Sequence, residues 1–217
     1  MERDTLLNEM TQSIIDGNRD QAESLAREAI SQGMDLNAVI EQGYVLGIQK
    51  VGDLWEQGEY FLPELITSAE CMKAVMKILQ PELDKANIRA RSLGKIVIGT
   101  IEGDIHDIGK NLVASMLGAN GFDVVDLGAD VKLDRFIATA QEVEADLICV
   151  SALLTTTMLL QKTLVVNLRE QGLLDRFKVM VGGAPVNQRW AQDIGAHGYA
   201  ENAMTAVQAV KELLGSR

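Results

Sequence analysis

Helices alone up to about Ala90, then short apolar strands alternating with helices from Arg91 onward, predict an α/β protein in two parts. The first part, residues 1–90, is expected to form a helical bundle. The second, residues 91–217, is expected to form a parallel sheet covered on both faces. Between them runs KANIRARSLG, polar and basic in the manner of a linker.

The elements follow in order. TLLNEMTQSIID has apolar residues at helical spacing and stops at Gly17-Asn18. RDQAESLAREAISQG ends with Gly33 placed as a C-terminal stop. MDLNAVIEQGYVLGIQKVGDLWEQGEY reads as helix broken up by glycines. FLPELITSAECMKAVMKILQPEL carries Pro63 near its first turn, where a missing N–H costs little. No β-alternation interrupts this part, so four or five helices are expected. KIVIGTI, FDVVDLG, DLICVSALL and KVMVGGAP are strand-like runs, and GYA at 198–200 is a short fifth. IGKNLVASMLGANG, LDRFIATAQEVEA, TTTMLLQKTLVVNLREQG and NQRWAQDIGA separate them, and ENAMTAVQAVKELLG closes the chain. Strand–helix units at this spacing suggest the flavodoxin-like, Rossmann-like strand order 2-1-3-4-5.

Composition excludes several classes. At 217 residues and 47% hydrophobic the chain is ordinary for a globular protein, and its formal charge of −11 argues against a nucleic-acid partner. Cys71 and Cys149 are too few and too far apart for a disulfide framework or a C-x-x-C site, and Cys149 lies in the apolar run LICVSALL as a buried thiol. MERDTLLNEM lacks the apolar core of a signal peptide, and no segment approaches the roughly 20 apolar residues of a membrane span. A cytoplasmic protein without a membrane partner is expected.

In such sheets ligands sit beyond the carboxyl ends of the strands, where strand order reverses. GDIHDIGKN follows the first strand, SALLTTT ends the third and VGGAP ends the fourth, so three distant segments share one edge. His106 stands between Asp104 and Asp107, and the chain has one other histidine, His197. A carboxylate on one imidazole nitrogen fixes the tautomer and leaves the other for a metal or a proton. Ser151, Thr155, Thr156 and Thr157 supply hydroxyls. Gly182 and Gly183 leave room for something to enter between strands, or for close backbone approach.

Each feature also has a plain structural reading. Asp104 or Asp107 has the placement of a cap for the following helix. A lone loop histidine also serves as surface or core, a GG pair as a turn, and hydroxyls at a strand end as caps. Nucleotide sites fit poorly: the first strand is followed by neither G-x-G-x-x-G nor a Walker lysine loop. A receiver domain would want an aspartate where Ser151 ends the third strand, and zinc would need more His or Cys. One histidine does suffice for a metal whose other ligands come with a cofactor.

Asp104-Ile105-His106-Asp107-Ile108-Gly109 resembles the D-x-H-x-x-G signature of cobalamin-binding domains, with Ser151-Ala152-Leu153 as S-x-L and Gly182-Gly183 as the later GG. VGDLWEQGEYFLPELITSAECMKAVM resembles the helical cap that precedes this domain in methionine synthase. The same layout occurs in the small corrinoid proteins of methanol, methylamine and betaine methyltransferase systems, and the resemblance covers essentially the whole chain. It implies a corrinoid cofactor, methylcobalamin or its Co(I) form, with His106 as lower axial ligand of cobalt. Asp104 would hydrogen-bond that histidine and Thr157 would complete the relay, so that these three carry the chemistry. Asp107, Ile108 and Gly109 would adjoin the cofactor. Ser151, Gly182 and Gly183 would line the slot for the displaced nucleotide tail, Leu153 would be a further cofactor-binding residue, and Thr155 and Ala184 would lie near the corrin or its tail. Trp55, Leu62 and Leu65 match positions that shield the upper, methyl-bearing face. Leu62 and Leu65 are also core residues of any bundle by their spacing. Trp55 stands where methionine synthase has phenylalanine, and Thr157 where it has serine.

The resemblance implies a methyl carrier, not catalytic alone. A barrel methyltransferase specific for its substrate would load it, a second would unload it to tetrahydrofolate or a thiol such as coenzyme M, and a reductive activase would restore it. Release of the methyl group as a cation would free His106 to take a proton, which Asp104 and Thr157 would stabilise. ANIRARSLG is the expected hinge. Two other readings share the signature: a cobalamin-dependent sensor, and the small subunit of a carbon-skeleton mutase. The sensor usually carries a DNA-binding module, and the mutase subunit lacks a helical cap.

Overall fold

The computed structural model describes residues 2–85 and 92–215. Most of the boundary segment, residues 86–91, and with it most of the hinge expected at ANIRARSLG, lies outside the described residues. The chain divides into two compact units, one of residues 1–92 with 119–121, the other of residues 93–118 and 122–217. No helix among the described residues is long and apolar enough to cross a membrane.

Among the described residues the regular elements of the first unit are all helical: α1 (Glu2–Ile15), α2 (Arg19–Ser31), α3 (Leu36–Ala38), a π-helical turn (Val39–Tyr44), α4 (Val45–Glu56) and α5 (Leu62–Lys85). Gly17 and Gly33 end α1 and α2 with φ of 63° and 64°, in the left-handed region that glycine enters freely. The expected break at the later glycines is corrected by the structure, because α3, the π turn and α4 run on without a gap. Gly43 and Gly47 are contact points instead. A Cβ on Gly47 would lie 2.7 Å from both Cβ of Ile14 and the carbonyl of Thr11, so the glycine lets α1 and α4 approach closely. Thr11 Oγ1 donates to the Gly43 carbonyl at 2.8 Å within the π turn. Tyr44 is fully buried, with its hydroxyl donating to the Ala22 carbonyl at 2.9 Å.

The second unit holds β1 (Lys95–Thr100), β2 (Asp123–Asp126), β3 (Leu147–Ser151), β4 (Lys178–Gly182) and β5 (Gly198–Ala200), all parallel, in the order β2-β1-β3-β4-β5. This is the strand order expected from the alternation. The helices are α6 (Ile108–Ala119), α7 (Leu133–Glu142), α8 (Thr155–Glu170), α9 (Gln188–Ile194) and α10 (Ala203–Leu214). Val97, Ile148, Val150 and Val179 from the strands pack with Phe136 of α7, Leu164 and Leu168 of α8, and Phe177 in one core. A Cβ on Gly99 would meet the Phe136 ring at 2.8 Å, so that glycine seats α7 on β1. Register pairs Thr100 with Ser151 and Ser151 with Gly182, which brings the ends of β1, β3 and β4 level. Order reverses between β1 and β3, so the loops after these strands share one crevice edge.

Candidate functional site

Asp104 is the centre of the site. Its side chain is completely buried, and its two oxygens collect donors from three segments. Oδ1 accepts the His106 N–H at 3.1 Å and lies 2.7 Å from His106 Nδ1. Oδ2 accepts from Leu153 N–H at 2.7 Å, Leu154 N–H at 3.3 Å and Thr157 Oγ1 at 2.8 Å. Burial pushes this carboxyl's pKa up. The bonds from Leu153, the His106 ring and N–H, and Thr157 outweigh burial and hold it far below the usual carboxylate range. Asp104 is therefore an anion that only accepts, so in the neutral His106 ring Nδ1 carries the proton and Nε2 the lone pair.

The same geometry decides the capping alternative. The Asp104 carboxylate stands at the head of α8, next to the positive end of its dipole, and does not cap the helix that follows it in sequence. Asp107 takes the cap position of α6, its carbonyl accepting from Asn111 N–H at 2.7 Å.

The His106 ring is 49% exposed, with exposed apolar side chains around it in sequence and across the crevice: Ile105, Ile108, Leu153 and Leu154. Ile108 is 86% exposed at the first position of α6, and a Cβ on Gly109 would meet nothing within 4 Å. Large apolar residues set on a loop edge around a histidine are a signal for a bulky apolar ligand, and Ile105 and Leu154 extend the set read from the sequence.

Along β3 and β4, Ser151 is half-buried, while Thr155 and Ala184 are exposed. Gly183 has φ of 124°, and a Cβ there would lie 1.8 Å from the Ala152 carbonyl. Of the two expectations for the glycine pair, Gly183 therefore serves close backbone approach between the ends of β3 and β4. Gly182 accepts Ala152 N–H at 3.1 Å, and Gln161 Nε2 also bonds its carbonyl at 3.2 Å. Gln161 is fully buried. It bridges to the Val150 carbonyl at 3.0 Å and accepts Trp190 Nε1 at 3.0 Å.

In the helical unit, Trp55 is half-buried in the last turn of α4, and Leu62 is exposed at the start of α5. Leu65 is buried to 1% exposure, the core place its spacing also allowed. Leu46, Phe61 and Ile66 are further exposed apolar residues of this unit that the sequence reading did not single out.

Three bracing residues escaped the motif. Thr100 Oγ1 donates to the His106 carbonyl at 2.9 Å. Asp130 accepts Gly103 N–H at 2.7 Å. Lys110, buried, pairs with Asp126 at 2.7 Å at the end of β2. Among the described residues, no three His, Cys, Asp or Glu side chains gather as a metal cage.

Residues 94–208 match the family model described as "B12 binding domain", and residues 6–80 match a second model of the same description. The chain belongs to the B12-binding family. A corrinoid protein of Desulfitobacterium hafniense (strain Y51) is 50% identical to this B12-binding chain over 97% of it and 98% of the relative. Trimethylamine corrinoid protein 2 of Methanosarcina acetivorans is 46% identical over 99% of both. The methanol:cobalamin methyltransferase complex of Methanosarcina barkeri superposes with a TM-score of 0.87 at 30% identity, covering 99% of this chain and 81% of that one. The cofactor of this B12-binding protein is cobalamin, and the residues present fit it. A corrin would bring cobalt already held by its own ring nitrogens and would need one further donor from the protein. The site offers one imidazole in a fixed tautomer with exposed isoleucines and leucines beside it.

Proposed function

We propose that this chain carries a methyl group on the cobalt of its corrinoid between two methyltransferases, one specific for the methyl donor and one serving tetrahydrofolate or a thiol. When bound, the corrinoid supplies a metal that accepts and gives up a methyl cation. What the chain supplies is orientation. Asp104 keeps Nδ1 of His106 protonated, so Nε2 is the nitrogen that would hold the cobalt. Thr157 and the Leu153 N–H hold Asp104 in place. Asp107, Ile108 and Gly109 adjoin the ring. Ser151, Gly182 and Gly183 line the place of the nucleotide tail, Leu153 adjoins the cofactor, and Thr155 and Ala184 lie near the corrin or its tail. Residues 1–90 form the cap, with Trp55 half-buried, Leu62 exposed and Leu65 in its core. Residues 91–217 form the corrinoid-binding domain, a division that the two matched stretches support.

The observation that carries this reading is the Asp104–His106 pair, with Nδ1 bound at 2.7 Å on a ring half open to solvent. The relatives' names support methylamines as the donor class, and the likeness to the methanol complex supports methanol as the second candidate. A reductive activase belongs to the same system. Buried, free Cys71 and Cys149 favour a reducing compartment, and the cytoplasm is where we place the protein.

The test is absorption spectroscopy of wild-type and His106→Ala proteins reconstituted with hydroxocobalamin, followed by methyl transfer with a cognate methyltransferase. The wild type should show histidine ligation and accept methyl groups. A His106→Ala spectrum identical to wild type sinks the axial role, and failure to accept methyl groups from any methylamine or methanol system sinks the carrier role.

A further inference from the structure

We propose that Asp130, in the loop between β2 and α7, is a positioning residue for His106; this rests on the reading of His106 as the cobalt ligand. A ligand nitrogen has to be held within about half an ångström of its working place. His106 sits on a loop, and loops hold geometry less well than strands. Something outside the loop must therefore fix it.

Within the loop, Asp104 N–H bonds the Ile101 carbonyl at 3.1 Å and closes the turn. Leu153, Leu154 and Thr157 hold the Asp104 side chain from outside, and two further residues tie down the rest of the loop. Thr100, at the end of β1, holds the His106 carbonyl. Asp130 holds two consecutive residues: its carboxylate accepts Gly103 N–H at 2.7 Å, and its own N–H donates to the Asp104 carbonyl at 2.9 Å. The neighbouring residue secures this clip to the sheet, because Val131 N–H bonds the Thr100 carbonyl at 3.0 Å and Val131 bridges to Ile101.

The backbone of Asp130 is unusual in the way this role requires. Its φ is 54°, in the left-handed region that aspartate and asparagine enter more readily than other non-glycine residues. In that conformation its N–H and its carboxylate both reach the same loop. A residue serving as a plain turn would need the conformation but not the carboxylate.

That difference gives the test. Asp130→Gly keeps the left-handed conformation and removes the acceptor, whereas Asp130→Asn keeps both. In the protein without cofactor, amide exchange at Gly103 should quicken by about tenfold or more in Asp130→Gly and stay near wild type in Asp130→Asn. After reconstitution in the Co(II) state, electron paramagnetic resonance should show the axial-nitrogen splitting intact in Asp130→Asn. In Asp130→Gly that splitting should be weakened or mixed. Wild-type Gly103 protection and wild-type splitting in Asp130→Gly would overturn the proposal, as would equal loss in both variants. His106→Ala, measured alongside, separates the two readings. If it retains the nitrogen splitting with a corrinoid that has no nucleotide base, the ligand assignment fails, while Gly103 exchange still decides whether Asp130 holds the loop.

Discussion

A buried carboxylate with five donors around it couples every neighbour's side chain to stability as well as to function. Hydrogen bonds to a charged group contribute roughly 1.5–3 kcal/mol each, and losing a donor leaves the charge less compensated. Thr157, 7% exposed, gives Asp104 Oδ2 one of those bonds. Thr157→Val keeps the shape and removes the hydroxyl, so it should cost about 1.5–3 kcal/mol in denaturant unfolding of the cofactor-free protein. Thr157→Ser should recover most of that. Asp104 and His106 were legible from the sequence because both lie within one short motif. Asp130 and Gln161 were not: the Asp130–Gly103 bond spans 27 residues, and Gln161 reaches β4 across 21, with no local pattern linking the partners. His197 shows a different residue-scale effect. Its Nδ1 accepts Val179 N–H at 2.9 Å, which requires that nitrogen to be unprotonated. Burial lowers its pKa from the ordinary 6.5, aided by Lys178. A depressed folded value means that the stability it confers is complete above about 6.5 and is lost as pH falls from there toward the folded value. Unfolding midpoints measured between pH 8 and 5 should therefore drop on the acid side, and His197→Gln should flatten that part of the profile.

Among the elements, glycines that read as breaks in the sequence turn out to be places of close packing. Helical periodicity shows where a side chain faces but not how near the next element lies, so Gly47 read as an interruption and is a crossing point. Gly47→Ala would push a Cβ to within 2.7 Å of Ile14 and of the Thr11 carbonyl, and should cost about 1–3 kcal/mol as an overpacked contact. Gly183→Ala is expected to be worse, about 3 kcal/mol or more. Its Cβ would meet a backbone carbonyl that cannot give way, at a φ that disfavours alanine. Gly109 is the control. Its Cβ direction is open and it lies in α6, so Gly109→Ala should stabilise the cofactor-free protein by up to about 1 kcal/mol. Thermal melting of the three variants orders them, and a Gly183→Ala protein as stable as Gly109→Ala would refute the close-approach reading.

For the whole molecule, the two-part architecture and the strand order were legible because each part keeps one pattern for many residues. The change near residue 90 needed no motif to be seen. What the pattern could not carry is where ligand energy enters. Each side chain that braces Asp104 and His106 belongs to the sheet unit: Thr100, Asp130 and Thr157. A ligand that binds the folded state alone stabilises by RT ln(1 + [L]/Kd), about 2.7 kcal/mol at a hundredfold excess over Kd. Hydroxocobalamin at that excess should therefore slow amide exchange most in β1 and β3, by roughly a hundredfold where exchange reports global opening of the unit. His106→Ala should reduce this gain in β1 and β3 if ligation contributes to affinity. Amides of α1 and α2 belong to the other unit and provide the internal reference. A gain of the same size in α1 and α2 would show that the helical unit opens together with the sheet, so that the cofactor stabilises the chain as one cooperative body.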